Sequence, residues 1–300
     1  MADSNSLRVM CLFETGAQLR CSSEIIGLAA HIYHKFFRLK PEMDQFELFT
    51  FGAACIKLAH WFYEKQVRNS DITLVMVSVA HGPNYFLDDQ AMSKLEHSID
   101  VAAKVITINL NYQIDYKDTR MMTPGDLARA RNPEEVITID RDSSSDEEGD
   151  EDETDRLLSK NSRHLISSHR YLAHYLCTIK LLVDPSSEIP FWKISSIAWT
   201  YLTDFHWSPC VTQHYANHLA CACLMMATET CRPELDNPKY AEFWKLINKK
   251  WNLIFCDDLS QKRLEQTMIT VAQQYDEYER ILQHEFNTYV IDPKRTDDCN

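Results

Sequence analysis

Ser22-Ser23-Glu24-Ile25-Ile26-Gly27-Leu28-Ala29-Ala30-His31-Ile32-Tyr33-His34-Lys35-Phe36-Phe37, residues 22–37, reads as one amphipathic helix. Ile25, Ala29, Ile32 and Phe36 recur at helical spacing, and Ile26, Ala30, Tyr33 and Phe37 widen the stripe. Ser22 or Ser23 supplies a side-chain oxygen for the first free N–H groups. A stripe that broad needs more than one neighbour, so the stretch predicts a helix inside an all-helical assembly.

The flanking sequence continues this reading. Asp44 to about Tyr63 forms a second helical run, with Phe46, Phe49, Ala53, Ile56 and Leu58. Its Phe51-Gly52-Ala53-Ala54-Cys55 segment is apolar over much of the circumference, as expected of a central helix that neighbours approach closely. Residues 71–80 carry Ile72, Thr73, Val75, Val77 and Val79, which suit a strand as well as a helix. Ser70 is the expected N-cap there, and His81-Gly82-Pro83-Asn84 ends the segment. A longer helix is expected from about Asp88 to Asn109, with Leu95, Ile99, Ala102, Ala103 and Ile106 inward.

Composition agrees. Only 6 glycines occur in 300 residues, too few for the Gly-rich loops of nucleotide sites or for dense hairpins. The ten cysteines include no C-x-x-C pair, and Met1 to Ser6 lacks a signal-peptide order, so reduced thiols and an intracellular setting are expected. No apolar run reaches the ~20 residues of a membrane span. The net charge of −13 disfavours nucleic acid and anionic membranes as partners.

That charge is concentrated. Residues 118–160 hold 14 acidic and 6 basic side chains, and ten of the sixteen residues from Asp140 to Asp155 are carboxylates. Self-repulsion without apolar residues predicts a disordered linker. Ser143, Ser144 and Ser145 each precede an acid by three positions, and Thr123 precedes Pro124, so all four are candidate phosphorylation sites. Helical patterning resumes at Ser168–Leu182 and continues through Phe191–Asp204, Gln213–Thr230, Tyr240–Trp251 and Asp258–Glu285. The expected organisation is therefore a helical domain at 8–117, the linker at 118–160, a second helical domain at 161–285 and a tail at 286–300.

Several motifs resemble the cyclin family, in particular its cyclin-Q group. Ile32-Tyr33-His34-Lys35-Phe36-Phe37 is similar to the first-box signature of the transcription-type cyclins. Leu58-Ala59-His60-Trp61-Phe62-Tyr63-Glu64, followed by Asp71-Ile72, resembles the order Leu-Ala-x-Lys-x-Glu-Glu and then Asp-Ile. His169-Arg170-Tyr171-Leu172, Ala198-Trp199, His218-Leu219-Ala220, Phe243-Trp244 and Asp257-Asp258-Leu259 follow the order of a second box. The resemblance implies two tandem five-helix cyclin boxes. It also implies a non-catalytic regulatory subunit without cofactors, forming a heterodimer with a cyclin-dependent kinase of the kinase 10 class in nucleus or cytoplasm. Such a subunit fixes the kinase's mobile αC helix inward and completes its Lys–Glu pair.

The match departs from the family at an informative place. Many cyclins hold the kinase through a Lys in the third helix and a Glu in the fifth; those positions here carry Trp61 and Ala103. Losing both charges together avoids orphaning one. Two readings of Trp61 stand side by side: an apolar interface anchor, or a core residue. Lys57 and Lys65 lie one turn either side of it, and Asp100 one turn before Ala103, available as a displaced pair. The candidate kinase-facing residues are thus Lys35, Lys57, Trp61, Glu64, Lys65, Asp100 and Ala103. A cyclin-fold adaptor and a DNA-binding core remain the alternative functions.

Other chemistry is weaker. His214, His218 and Cys221 share a helical face with Cys223 nearby, but four ligands on one helix do not readily close a tetrahedron around zinc, and core packing is the expected role. Trp192, Trp199, Trp207, Trp244 and Trp251 read as core rather than as base-stacking platforms. No cysteine or histidine sits in a nucleophile context.

Overall fold

The computed structural model describes residues 4–41, 49–63, 65–82, 84–111, 167–182, 189–232, 238–256 and 259–275. The acidic stretch 118–160, all four candidate phosphorylation sites, Glu64 and the tail 286–300 lie outside them. Every regular element among the described residues is helical. The chain groups into two units. The first comprises Met1–Ile114, Thr203–Thr212 and Ile269–Asn300; the second comprises Asp115–Leu202 and Gln213–Met268. Thr203–Thr212, which the sequence pattern places in the second helical domain, thus groups with the first unit.

In the first unit, helices α1 (Ser4–Gln18), α2 (Ser23–Leu39), α3 (Thr50–Phe62), α4 (Asn69–His81) and α5 (Asp89–Asn109) follow one another. Helix α3 packs against all four of the others. Its small residues make this possible: Ala53, Ala54, Cys55 and Ala59 are buried, and Leu12 of α1 lies against Gly52. The stripe of α2 is buried as its spacing predicts, from Ile25 to Phe36, and Phe36 stacks on Phe51 at 5.2 Å. Helix α1 is the element the sequence reading did not mark out, because its polar first turn hides the later run of Val9, Leu12 and Phe13, all buried.

Residues 71–80 form the expected helix despite their β-branched content, because Ile72, Thr73, Met76 and Val77 face the core at helical spacing. The N-cap there is Arg68, so Ser70 is already inside the helix, and Arg68 Nε donates to Asp71 Oδ2 at 3.0 Å. Asp88 caps α5, its carboxylate accepting the Ala91 N–H. Leu95 is only half-buried, so the inner face of α5 begins at Ile99.

Helix α4 ends at Gly82, whose φ of 94° belongs to a region that side chains rarely adopt. A Cβ there would meet nothing within 4 Å, so the objection to a side chain is purely conformational. Gly82→Ala is expected to destabilise the chain by about 1–3 kcal/mol in urea unfolding. Equal stability of the two proteins would show that the turn relaxes.

The segment Thr203–Thr212 binds α1 and α2 within the first unit. Trp207 packs on Phe13 at 4.7 Å, His34 Nε2 donates to the His206 carbonyl at 3.1 Å, and Arg38 donates to Thr212 Oγ1 at 3.0 Å. In the second unit, α6 (Ser168–Leu182) packs against α8 (Ala216–Thr230). Helix α8 is lined with buried Ala220, Cys221, Ala222, Cys223 and Ala227, and α6 contributes Tyr171, Leu172, Tyr175 and Ile179. His169 lies 5.1 Å from Trp199 of α7 (Phe191–Phe205). Tyr175 meets Phe255, which follows α9 (Ala241–Ile254), at 5.3 Å. Trp251 is buried, whereas Trp192 is 75 % exposed, a correction to its expected core role.

Candidate functional site

Helix α3 turns most of its surface inward, which leaves a narrow outer edge. Lys57 and Trp61, one turn apart, occupy that edge. Trp61 is 71 % exposed, and this rules out the reading of it as core.

Beside Trp61, Lys57 Nζ pairs with Asp100 Oδ1 of α5. Asn69, the first residue of α4, donates to the same oxygen at 2.8 Å. One carboxylate thus ties three helices together. The Lys57 hydrogen bond holds the Asp100 carboxyl below its ordinary range, helped by Asn69 and the Lys104 charge and opposed by partial desolvation. The ion pair that the sequence placed as available one turn from Trp61 and Ala103 is formed within the chain.

The remaining candidates are spread out. Ala103 is 7 % exposed and faces the core, so it offers a partner no side-chain surface; at its level Val101 and Lys104 are the exposed residues. Lys65 is exposed beyond the end of α3, with its N–H on the His60 carbonyl at 2.9 Å. Lys35 is half-buried on α2, where its charge is felt by buried His31. Asn69, Val101 and Lys104 were not identified from sequence. The signal for Val101 and Lys104 lay in the period of α5, because Ile99, Ala102 and Ile106 set the inner face and leave them outside.

The Lys57–Asp100 pair is about one-third exposed, with side-chain accessibilities of 32 % and 41 %. Screening by solvent therefore limits its contribution to fold stability. Lys57→Met with Asp100→Asn is expected to show a coupling below about 1 kcal/mol in a double-mutant cycle. A coupling of several kcal/mol would mean that the pair is structural rather than a surface feature. Because the carboxyl is held low in the folded chain, its small contribution is present above the unfolded value near 3.8 and fades as pH falls through the folded one.

Among the described residues, the face with Trp61 presents an exposed indole, the Lys57–Asp100 ion pair and the nearby cations Lys65 and Lys104. Of the zinc candidates, His218, Cys221 and Cys223 lie on α8 and are buried, whereas His214 precedes that helix and is half-buried, with Nδ1 3.4 Å from Thr267 Oγ1, so it does not share their helical face as the spacing predicts. Among the described residues no group of three or more His, Cys, Asp or Glu side chains is gathered to hold a metal ion. No helix among them is long and apolar enough to cross a membrane. No family model matches the chain.

Proposed function

We propose that this chain is a cyclin-like regulatory subunit, built as two tandem five-helix boxes around an acidic insertion, that binds a cyclin-dependent kinase of the kinase 10 class. The single observation that carries the reading is exposed Trp61 beside the Lys57–Asp100 pair on the outer edge of a central third helix. The packing of α3 against four neighbours suits a five-helix box. In the second unit, the contact of His169 with Trp199 joins two stretches that carry the second-box resemblance. In this reading Trp61 seats in an apolar recess of the kinase near its αC helix, and the binding energy favours the active kinase conformation.

A second reading has its own support. With Lys57 already engaged by Asp100 and no Lys–Glu pair at the usual positions, the chain would hold its kinase without stimulating it, as an adaptor. Affinity purification of the full chain, followed by identification of the bound kinase and a phosphorylation assay with and without the chain, separates the two. Co-purification with stimulation supports the regulatory subunit, and co-purification without it supports the adaptor. Absence of any kinase would overturn both.

A further inference from the structure

The segment Thr203–Thr212 comprises the end of α7 and the start of the 3₁₀ turn Pro209–Gln213. From His206 onward its backbone bonds are local: the N–H groups of His206, Trp207, Ser208 and Val211 donate to carbonyls three residues back, at 3.0–3.2 Å. A segment bonded so locally depends on its neighbours for order. Trp207 on Phe13, His34 on the His206 carbonyl and Arg38 on Thr212 supply that support within the first unit. Three imidazoles are buried at this contact, those of His31 and His34 on α2 and of His206 on the segment. With Nε2 on the carbonyl, His34 keeps its Nδ1 buried and without a hydrogen-bond partner among the described residues.

A proton added at that Nδ1 would create a buried cation whose new N–H has no acceptor. It would also stand among imidazoles and cations, since the charges felt by neighbouring His31 are those of His206, Lys35, His34 and Arg38. We propose that this contact is an acid-sensitive latch, which releases Thr203–Thr212 from α1 and α2 below about pH 6 while the helices of the first unit stay folded. Once the segment has left, His34 is in water and takes up the proton that the closed contact refuses, so acid favours the open form. Desolvation, with the His206 charge, holds the closed His34 at about 4 against its bonds to the backbone of His206 and Trp207, and burial lowers His31 as well. The other charged groups of the packed elements have their own places. On α1, Arg8 is buried and exposed Glu14 accepts from Gln18; Glu24 lies in the first turn of α2. On α3, Lys57 pairs with Asp100 and His60 donates to the Ile56 carbonyl. On the segment itself, Asp204 accepts from Tyr275 Oη at 2.8 Å, and burial raises its carboxyl, so acid strengthens that contact rather than opening it.

The test is hydrogen–deuterium exchange of the full chain, read by peptide mass spectrometry and corrected for the chemical exchange rate at each pH. Opening of residues 203–212 is expected to rise by roughly 25-fold between about pH 7.5 and about pH 5, the factor for a histidine titrating at 6.5 when open and about 4 when closed. At both pH values these amides should exchange faster than those of buried α3, because the latch opens without unfolding the unit. His34→Gln keeps a donor for the carbonyl and loses the titration, so most of the rise should disappear. If that variant does not fold, the wild-type comparison decides alone. Exchange of residues 203–212 that does not rise in acid, or that matches α3 at both pH values, would overturn the latch, as would a full rise in folded His34→Gln.

Discussion

Trp61→Ala is expected to weaken kinase binding by roughly 30-fold or more while leaving the chain as stable as before. An indole buried at the centre of an interface typically contributes about 2 kcal/mol or more, which is the stated factor in affinity. In the isolated chain the same indole is 71 % exposed, so its removal takes little from the core. Surface substitutions of this kind stay within about 0.5 kcal/mol of wild type. The separation of the two effects makes the result readable: binding titrated against the co-purified kinase should change, and the urea midpoint should not. A variant that binds as tightly as wild type would remove Trp61 from the interface and leave the proposed function without its main support. Loss of both binding and stability would instead mean that the indole packs in solution.

The second large effect is acid sensitivity centred on α2. His34 is fully buried and donates from Nε2 to the His206 carbonyl. Its surroundings are cationic or neutral: His206 and His31, with the Lys35 and Arg38 charges reaching neighbouring His31. Desolvation is the largest influence, and together these push His34 from 6.5 down to about 4, against the hydrogen bonds to the backbone of His206 and Trp207. The sign follows directly. Above pH 6.5 the ring is neutral in both states and the fold keeps its full stability. As pH falls from there to about 4, the unfolded chain takes up a proton that the folded chain refuses, and stability is lost. Over that window the loss approaches roughly 3 kcal/mol for this one group. His31, also buried and depressed, steepens the decline. His34→Gln keeps a donor for the carbonyl and removes the titration, so its unfolding free energy should fall by about 2 kcal/mol less than that of wild type between pH 6.5 and pH 5. Parallel pH profiles for the two proteins would mean that His34 is protonated in the folded chain or reached by water.

How much of this was legible beforehand depends on the range of the interaction. The face of α2, the start of α5 near Asp88 and the bounds of α6 are set by neighbours within a turn or two, and spacing alone identified them. Residues 71–80 were undecided because β-branched propensity and helical period compete there; packing against α1, α3 and α5 settles the matter. The placement of Trp61 was also open between interface anchor and core.

By itself, then, the sequence determined an all-helical chain with α2 and α3 as its most buried-looking helices, and it singled out the exchange of a familiar charge pair for Trp61 and Ala103. Those properties follow from short-range period, capping and composition. Only the tertiary structure decided that Trp61 stands in solvent while Ala103 is covered. It also decided that Asp100 gathers Lys57 and Asn69, and that Thr203–Thr212 packs on α1 and α2. The reason is physical: these partners are 31 to 194 residues apart along the chain, and no local pattern encodes which distant side chain will fill a given place once helices pack.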